Sequence, residues 1–251
     1  MNSNAPFVSV IVPVLNEAQL LGDFLRQVRE ISSDLEIIVV DGGSCDGSIS
    51  IAEGLADQVL VAPRGRASQM NVGAAIARGS VFWFLHADLN VPPASVERIR
   101  AALSDPDIAG GCFRLRYPRR EWIYRVSDSL GNIGVRLFGF ALGDHGIFCR
   151  REAFTAAGGY PDVPILEDAE LCRRLNRGRR MQQLPEEIVS DPRTFEKCGR
   201  YRTTAVYFRI LALYVAGVPM RRLHRIYRRF HARTREERRG IVLTAENEPS
   251  H

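Results

Sequence analysis

The sequence predicts an α/β fold: a mostly parallel central sheet flanked by helices, followed by a helical C-terminal extension. Three observations predict it. Short apolar runs rich in β-branched residues, at Val8–Val14 and residues 35–40, 59–62 and 81–85, have the two-sided hydrophobicity of buried parallel strands. Helix-period segments separate them, a rhythm that implies right-handed crossovers between parallel strands. Two of the runs, SVFWFLHAD and IIVVDGGSCDGS, stop on acidic groups where ligands collect in open α/β sheets.

Each element follows from its residues. After the first strand, Asn16 can cap a helix whose Leu20, Leu21, Phe24, Leu25 and Val28 share one face. Residues 48–56 form a short helix. Residues 67–77 form another, with a small face (Gly73, Ala74, Ala77) able to press closely on the sheet. Pro92 and Pro93 open a helix carrying Val96, Ile99 and Leu103 inward. Beyond Pro106 the reading is a strand at 108–117, a helix at 122–138 broken by Gly131 and Gly134, and a strand at 143–150. A short helix at 152–157 closes on Gly158 and Gly159, and a loop leads into a helix at 168–175. From Phe195 onward the chain reads as helices with an arginine-rich close, and the final TAENEPSH as frayed. The expected division is a catalytic domain at 1–195 and a helical extension at 196–251, with no internal repeat.

At 251 residues, 45% hydrophobic and 25% charged, the chain has the composition of a soluble globular protein with ample core. The net charge of +5 is almost wholly arginine, Lys197 being the only lysine, and much of it lies at residues 221–239. That bias reflects either composition or phosphate contact. Five scattered cysteines without a C-x-x-C pair support neither a zinc knuckle nor a disulfide framework, so a reducing, cytoplasmic setting is expected. The opening MNSNAPF lacks the pattern of a secretory leader. The apolar stretch 203–220, interrupted by Arg209 and Pro219, is short for a bilayer span. With the arginines after it, it fits either an in-plane helix on an anionic leaflet or a helix packed on the catalytic domain.

Four constellations carry chemistry. Asp41, before Gly42, Gly43, Ser44, Asp46 and Gly47, suits a carboxylate accepting from a uracil or ribose donor, or a cap in a tight turn. His86-Ala87-Asp88 suits a divalent-metal site completed by diphosphate and water, or a structural histidine at a strand end. Arg64-Gly65-Arg66, with Gln69 and Asn71, suits a phosphate clamp at a helix start, or a solvated loop. Glu167-Asp168 at a loop-to-helix junction suits a general base, or a helix cap. Asp144 and His145 are acceptor-side candidates, or turn formers.

Taken in order, P-x-x-N-E (Pro13, Asn16, Glu17), V-V-D-G-G-S-x-D-G, H-A-D and E-D resemble the family-2 glycosyltransferases of the GT-A (Rossmann-like) fold, over residues 8–191. R-G-R-x-x-Q-M-N-x-G-A, L-H-A-D and G-D-H-G look like one bacterial subgroup, associated with radical-SAM and selenoprotein-type genes and linked to arsenosugar biosynthesis. The resemblance implies inverting transfer from a nucleotide sugar, a uridine diphosphate sugar, to a small-molecule or lipid-linked acceptor. It implies that Pro13, Asn16 and Glu17 line the nucleotide and that Asp41 holds base or ribose. Asp88 would bind Mn2+ or Mg2+, with His86 standing where the usual motif has its first aspartate. Asp168 would deprotonate the acceptor, with Glu167 beside it. Many relatives carry an arginine where this chain has Met70, so diphosphate contact falls to Arg66, with Asn71 nearby. Two other classes compete. Nucleotidyl transfer to a sugar phosphate would want a glycine-rich, lysine-bearing opening loop, which is missing. A basic nucleic-acid-binding module leaves the acids unexplained, so no nucleic-acid partner is expected.

Overall fold

The β-branched runs do become strands. The computed structural model describes residues 7–245, without the side chains of residues 233 and 235–245. The final residues of the TAENEPSH close and most of the opening MNSNAPF lie outside the described residues. In chain order the strands are β1 Val8–Val14, β2 Leu35–Asp41, β3 Gln58–Val61, β4 Val81–Phe84, β5 Leu89–Asn90, β6 Ile108–Arg116, β7 Phe148–Arg150 and β8 Arg180–Ser190. The helices are α1 Ala18–Ile31, α2 Ser48–Glu53, α3 Arg66–Ile76, α4 Ser95–Ala102, α5 Trp122–Phe138, α6 Arg151–Ala156, α7 Glu167–Leu175, α8 Arg193–Cys198, α9 Arg200–Val215 and α10 Met220–Ala245.

One sheet holds all eight strands in the order β3-β2-β1-β4-β7-β6-β8-β5. Strands β3, β2, β1 and β4 are mutually parallel, β7 runs antiparallel to both neighbours, β6 and β8 pair in parallel, and β5 is antiparallel to β8. The chain runs outward from β1 to β2 and β3, then returns to place β4 on the other side of β1. The ends of β1 and β4 therefore flank a topological switch point, where open sheets bind ligands.

The chain forms two compact units, residues 1–118 with 128–191, and residues 119–127 with 192–251. In the larger unit one cluster joins the α1 face (Leu21, Phe24, Leu25, Val28) and the α4 face (Val96, Ile99) to the strands. The other gathers Phe82, Phe84, Phe154 and Tyr160. In the smaller unit Tyr124 packs on Phe195, and Tyr207 of α9 meets Tyr227 and Phe230 of α10. Among the described residues no helix is long and apolar enough to cross a membrane. All five cysteines are free, with Cys112, Cys149 and Cys172 buried.

Several local expectations are corrected. Asn16 does not cap α1. It sits at φ 56° with its side-chain oxygen accepting the Cys45 N–H, and the Ala18 N–H goes instead to Asp46. Helix α5 runs on through Gly131 and Gly134, where a Cβ would lie 3.4 Å from the rings of His145 and Phe140, close to ordinary contact. Residues 143–145 form a 3-10 turn, and only Phe148–Arg150 is strand. Strand β8 went unforeseen: its exposed positions are polar and it carries Pro185, so it lacks an apolar run.

The small face of α3 does meet the sheet closely. A methyl placed on Gly73 would lie 2.6 Å from Ile11 Cγ2 and 3.1 Å from Val40 Cγ2. Overpacking of that kind costs about 1–3 kcal/mol, against a helix-propensity gain near 1. Gly73→Ala should therefore lower stability by roughly 1 kcal/mol in denaturant unfolding, where a solvent-facing helical glycine would gain.

Candidate active site

The carboxyl ends of the parallel strands gather the predicted acids. Asp41 closes β2 opposite Val14 of β1 and is fully buried. Its Oδ1 accepts the N–H groups of Gly43 and Ser44 at 2.7 and 2.8 Å, as in a capped turn. Its Oδ2 finds no hydrogen-bond partner among the described residues, which suits a ligand donor. Gln69 braces this end from α3, donating to the carbonyls of Val14 and Val40. Pro13 ends β1 half-buried, and Glu17 begins the next turn with its N–H on Ser48.

The segment after β4 carries His86 and Asp88. The Asp191 N–H donates to the Asp88 carbonyl, and β5 pairs with β8, so the unforeseen strand fixes this segment. His86 is held neutral, its pKa down to about 3, by burial and then by the nearby Arg66 charge. Its Nε2 finds no hydrogen-bond partner among the described residues.

Two distant segments converge on Gly143. A Cβ there would lie 2.6 Å from His86 Nε2 and 3.1 Å from Asp168 Oδ2. The Gly143 N–H donates to that same Asp168 oxygen at 3.0 Å. Asp168 is therefore not a cap of α7: that place belongs to Leu166, held in the left-handed region at φ 59°. Burial pushes the Asp168 carboxyl up to about 7, with the Glu167 charge adding to the rise and Arg66 opposing it. Asp144, in the turn after Gly143, is also raised by burial and eased by Arg66, with Tyr117 and Ser190 as hydrogen-bond partners.

Arg66, half exposed at the start of α3, gives its Nε–H to buried Glu167 at 2.7 Å. Neither residue is the solvated group of a plain loop. The amide of Asn71 donates to the Tyr160 carbonyl and accepts the Tyr160 N–H, both at 2.9 Å, so Asn71 holds the loop before α7. His145 turns away from this cluster: it is buried against Gly131 of α5, with a pKa lowered to about 4 by burial. Tyr117, Tyr160 and Ser190 joined the site without a sequence signal, since each is an ordinary strand-end or loop residue until the fold brings it there. Gly143 had one, the crowded G-D-H-G turn. Among the described residues no three acidic, histidine or cysteine side chains form a complete metal cage.

A mixed α/β sheet with acids at the ends of its parallel strands defines a Rossmann-like α/β architecture. Residues 9–155 match the family described as glycosyl transferase family 2, and the chain belongs to that family. The match takes in every site segment except Tyr160 and its loop, Glu167-Asp168 and the end of β8. Among curated relatives, an undecaprenyl-phosphate 4-deoxy-4-formamido-L-arabinose transferase of Pseudomonas fluorescens is 33% identical over 159 residues, 57% of this chain and 46% of that protein. Glycosyltransferase AglE of Haloferax volcanii is 30% identical over 148 residues, 54% of this chain and 49% of that one. The chain thus spans about half the length of the curated relatives it matches. Among solved structures, the mannosyltransferase PcManGT of Pyrobaculum calidifontis, in complex with GDP-Man and Mn2+, superposes with TM-score 0.66 at 20% identity, covering 99% of this chain and 77% of that one. Glucosyl-3-phosphoglycerate synthase of Mycobacterium tuberculosis, in complex with Mn2+, UDP and glucosyl-3-phosphoglycerate, gives 0.59 at 19% identity, with 85% and 81% covered. These likenesses establish the GT-A fold.

The raised Asp168 carboxyl has a stability consequence. Its protonated form is favoured in the fold, so its penalty is absent below the ordinary carboxylate pKa and develops as pH rises from about 4 to about 7. Asp168→Asn should accordingly melt higher than the parent at pH 8, by an amount on the order of 2–4 kcal/mol, and equally at pH 4.

Proposed function

We propose that the protein transfers a sugar from a nucleoside diphosphate sugar, a UDP-sugar, to an acceptor hydroxyl with inversion, by a single displacement. The observation that carries this reading is the meeting of His86 and Asp168 at Gly143, which sets a buried carboxyl beside the segment bearing Asp88. Asp168 accepts the acceptor proton as that oxygen attacks the anomeric carbon, and a base whose pKa lies near 7 suits that work. Pro13, Asn16, Glu17 and Asp41 line the nucleoside, the unsatisfied Asp41 Oδ2 accepting from base or ribose. Arg66 serves the departing diphosphate, since a guanidinium has five N–H donors and one bond to Glu167 is compatible with a second partner. Glu167 keeps Arg66 in place, and Asn71 acts through the Tyr160 loop.

The donor set fits a divalent cation that is shared with substrate rather than caged by protein. Asp88 supplies a hard oxygen and His86 stands beside it, leaving most positions to phosphate and water, as Mg2+ or Mn2+ accepts. When bound, such a cation offsets diphosphate charge. Asp144 is the acceptor-side group; His145, buried against α5, supports the turn that presents it.

The acceptor is a hydroxyl of a small molecule or of a lipid-linked sugar. The name of the Pseudomonas fluorescens relative favours a lipid-linked acceptor, and the R-G-R, H-A-D and G-D-H-G set favours the arsenosugar-type subgroup. The catalytic part is residues 1–195, and the arginine-rich extension at 196–251, with helices α9 and α10, allows peripheral contact with the inner face of the cytoplasmic membrane.

A thermal-shift panel of nucleotide sugars with Mn2+ or Mg2+ identifies the donor, and no response to any of them would reject the reading. Asp168→Asn should lower turnover by about 10²–10⁴-fold while leaving donor affinity nearly unchanged in calorimetry. Full turnover in that variant would remove Asp168 as the base. Asp88→Ala should weaken donor and Mn2+ binding together.

A further inference from the structure

Helix α5 has one face sealed against the fold and one face that, among the described residues, is largely exposed. On the sealed side, the Asp128 carboxylate accepts the Tyr117 N–H, and Asn132 pairs with both backbone groups of Leu115. On the other side stand Trp122, Val126, Ile133 and Leu137, with 62%, 38%, 47% and 70% of their surface exposed. At about 100° per residue these four fall within roughly 60° of the helix circumference, a continuous apolar stripe. An ordinary surface helix turns its apolar stripe inward; α5 buries Ile123 and Tyr124 and exposes this second stripe as well.

The charges on that face have one sign. Arg125 and Arg136, eleven positions apart, lie along one edge of the stripe, and both are exposed. The only acidic residue of α5, Asp128, is on the sealed side, and Glu121 just before the helix is paired with Arg200. Beside Trp122 stands Tyr201, half exposed, its ring 5.8 Å away. Two acids, Asp105 and Glu186, share a groove with Arg136 and are paired with Arg180 and Arg98. Apolar residues with a tryptophan–tyrosine pair, edged by arginines, match the boundary between acyl chains and anionic headgroups. We propose that the exposed face of α5 is a docking surface that lays this protein on an anionic lipid bilayer. This rests on the membrane contact proposed above and assigns it to α5 rather than to the C-terminal helices; it is independent of the transfer reaction.

The two tryptophans make the test direct, because Trp83 is fully buried and Trp122 is exposed. The full chain is mixed with vesicles of phosphatidylcholine alone, or of phosphatidylcholine with phosphatidylglycerol, and sedimented. Binding should be strong on the mixed vesicles, weak on the neutral ones, and reduced by salt. Bound protein should show a blue-shifted Trp122 emission that brominated lipid quenches. The double variant Ile133→Glu/Leu137→Glu should lose binding by about tenfold or more while keeping its circular-dichroism melt. Should that variant misfold, the quenching of wild-type Trp122 still decides. Wild-type protein that stays in solution with both vesicles overturns the membrane contact altogether. A variant that binds as well as wild type, or bound protein whose Trp122 is not quenched, overturns the α5 assignment and leaves the contact to other helices. A wild-type dimer in light scattering that the variant converts to monomer also overturns it, because the stripe is then a contact between copies.

Discussion

The Arg66 guanidinium is the positive charge on which the site depends. It bonds Glu167, lowers the carboxyls of Asp144 and Asp168 against the pull of burial, and helps keep His86 neutral. These groups come from four separate segments: the start of α3, the end of β4, the turn after α5, and the start of α7. Carboxyls packed together in a region of low polarity repel one another and resist ionisation. One cation among them leaves that repulsion partly unrelieved, so a further positive charge entering with a substrate would find the carboxyls poised to receive it. Arg66 itself is aimed by backbone geometry: Gly65 precedes it at φ 145°, a conformation that side-chain-bearing residues rarely adopt.

The same region concentrates the unfavourable backbone. Among the described residues, the non-glycine positions with positive φ are Asn16 and Leu166. Asn16 lies in the turn after β1 and Leu166 immediately before Glu167. Such conformations cost on the order of 1 kcal/mol each and persist where surrounding structure fixes them. Asn16 is fixed by its bonds to Ser44 and Cys45, and the approach to Leu166 is tethered by the Asn71–Tyr160 pair. Tethers of this sort place a carboxyl to a fraction of an ångström, which proton transfer requires.

The sequence made the sheet's parallel half legible because each of its strands is buried on both faces and so reads as an apolar run. It was equally plain that Asp41 and Asp88 end such runs. Strand β8 was hidden because one side of it is wet, and yet β8 fixes the backbone of Asp88 and brings Ser190 to Asp144. Gly131 and Gly134 suggest a break in the helix, but a glycine costs only about 1 kcal/mol in a helix interior, and the packing of α5 carries it through. Asn71 was legible as important but not in its role, since a bidentate grip on the Tyr160 backbone depends on a residue far along the chain. His145 illustrates the opposite error: a histidine one position from an active-site acid is turned by the 3-10 geometry into the core.

In the proposed reaction, the placement of Asp168 suits a carboxyl better than another base. A histidine at that depth would be driven neutral and lose its proton too readily, as His86 and His145 both are. A carboxyl is shifted the other way by the same burial, toward the working range of a base near neutral pH. The Arg66 charge limits the shift by stabilising the ionised form. A side chain at residue 143 would push into both His86 and Asp168, so glycine there is a consequence of bringing those two segments together, and the G-D-H-G turn is the hinge of the site's chemistry as much as of its shape.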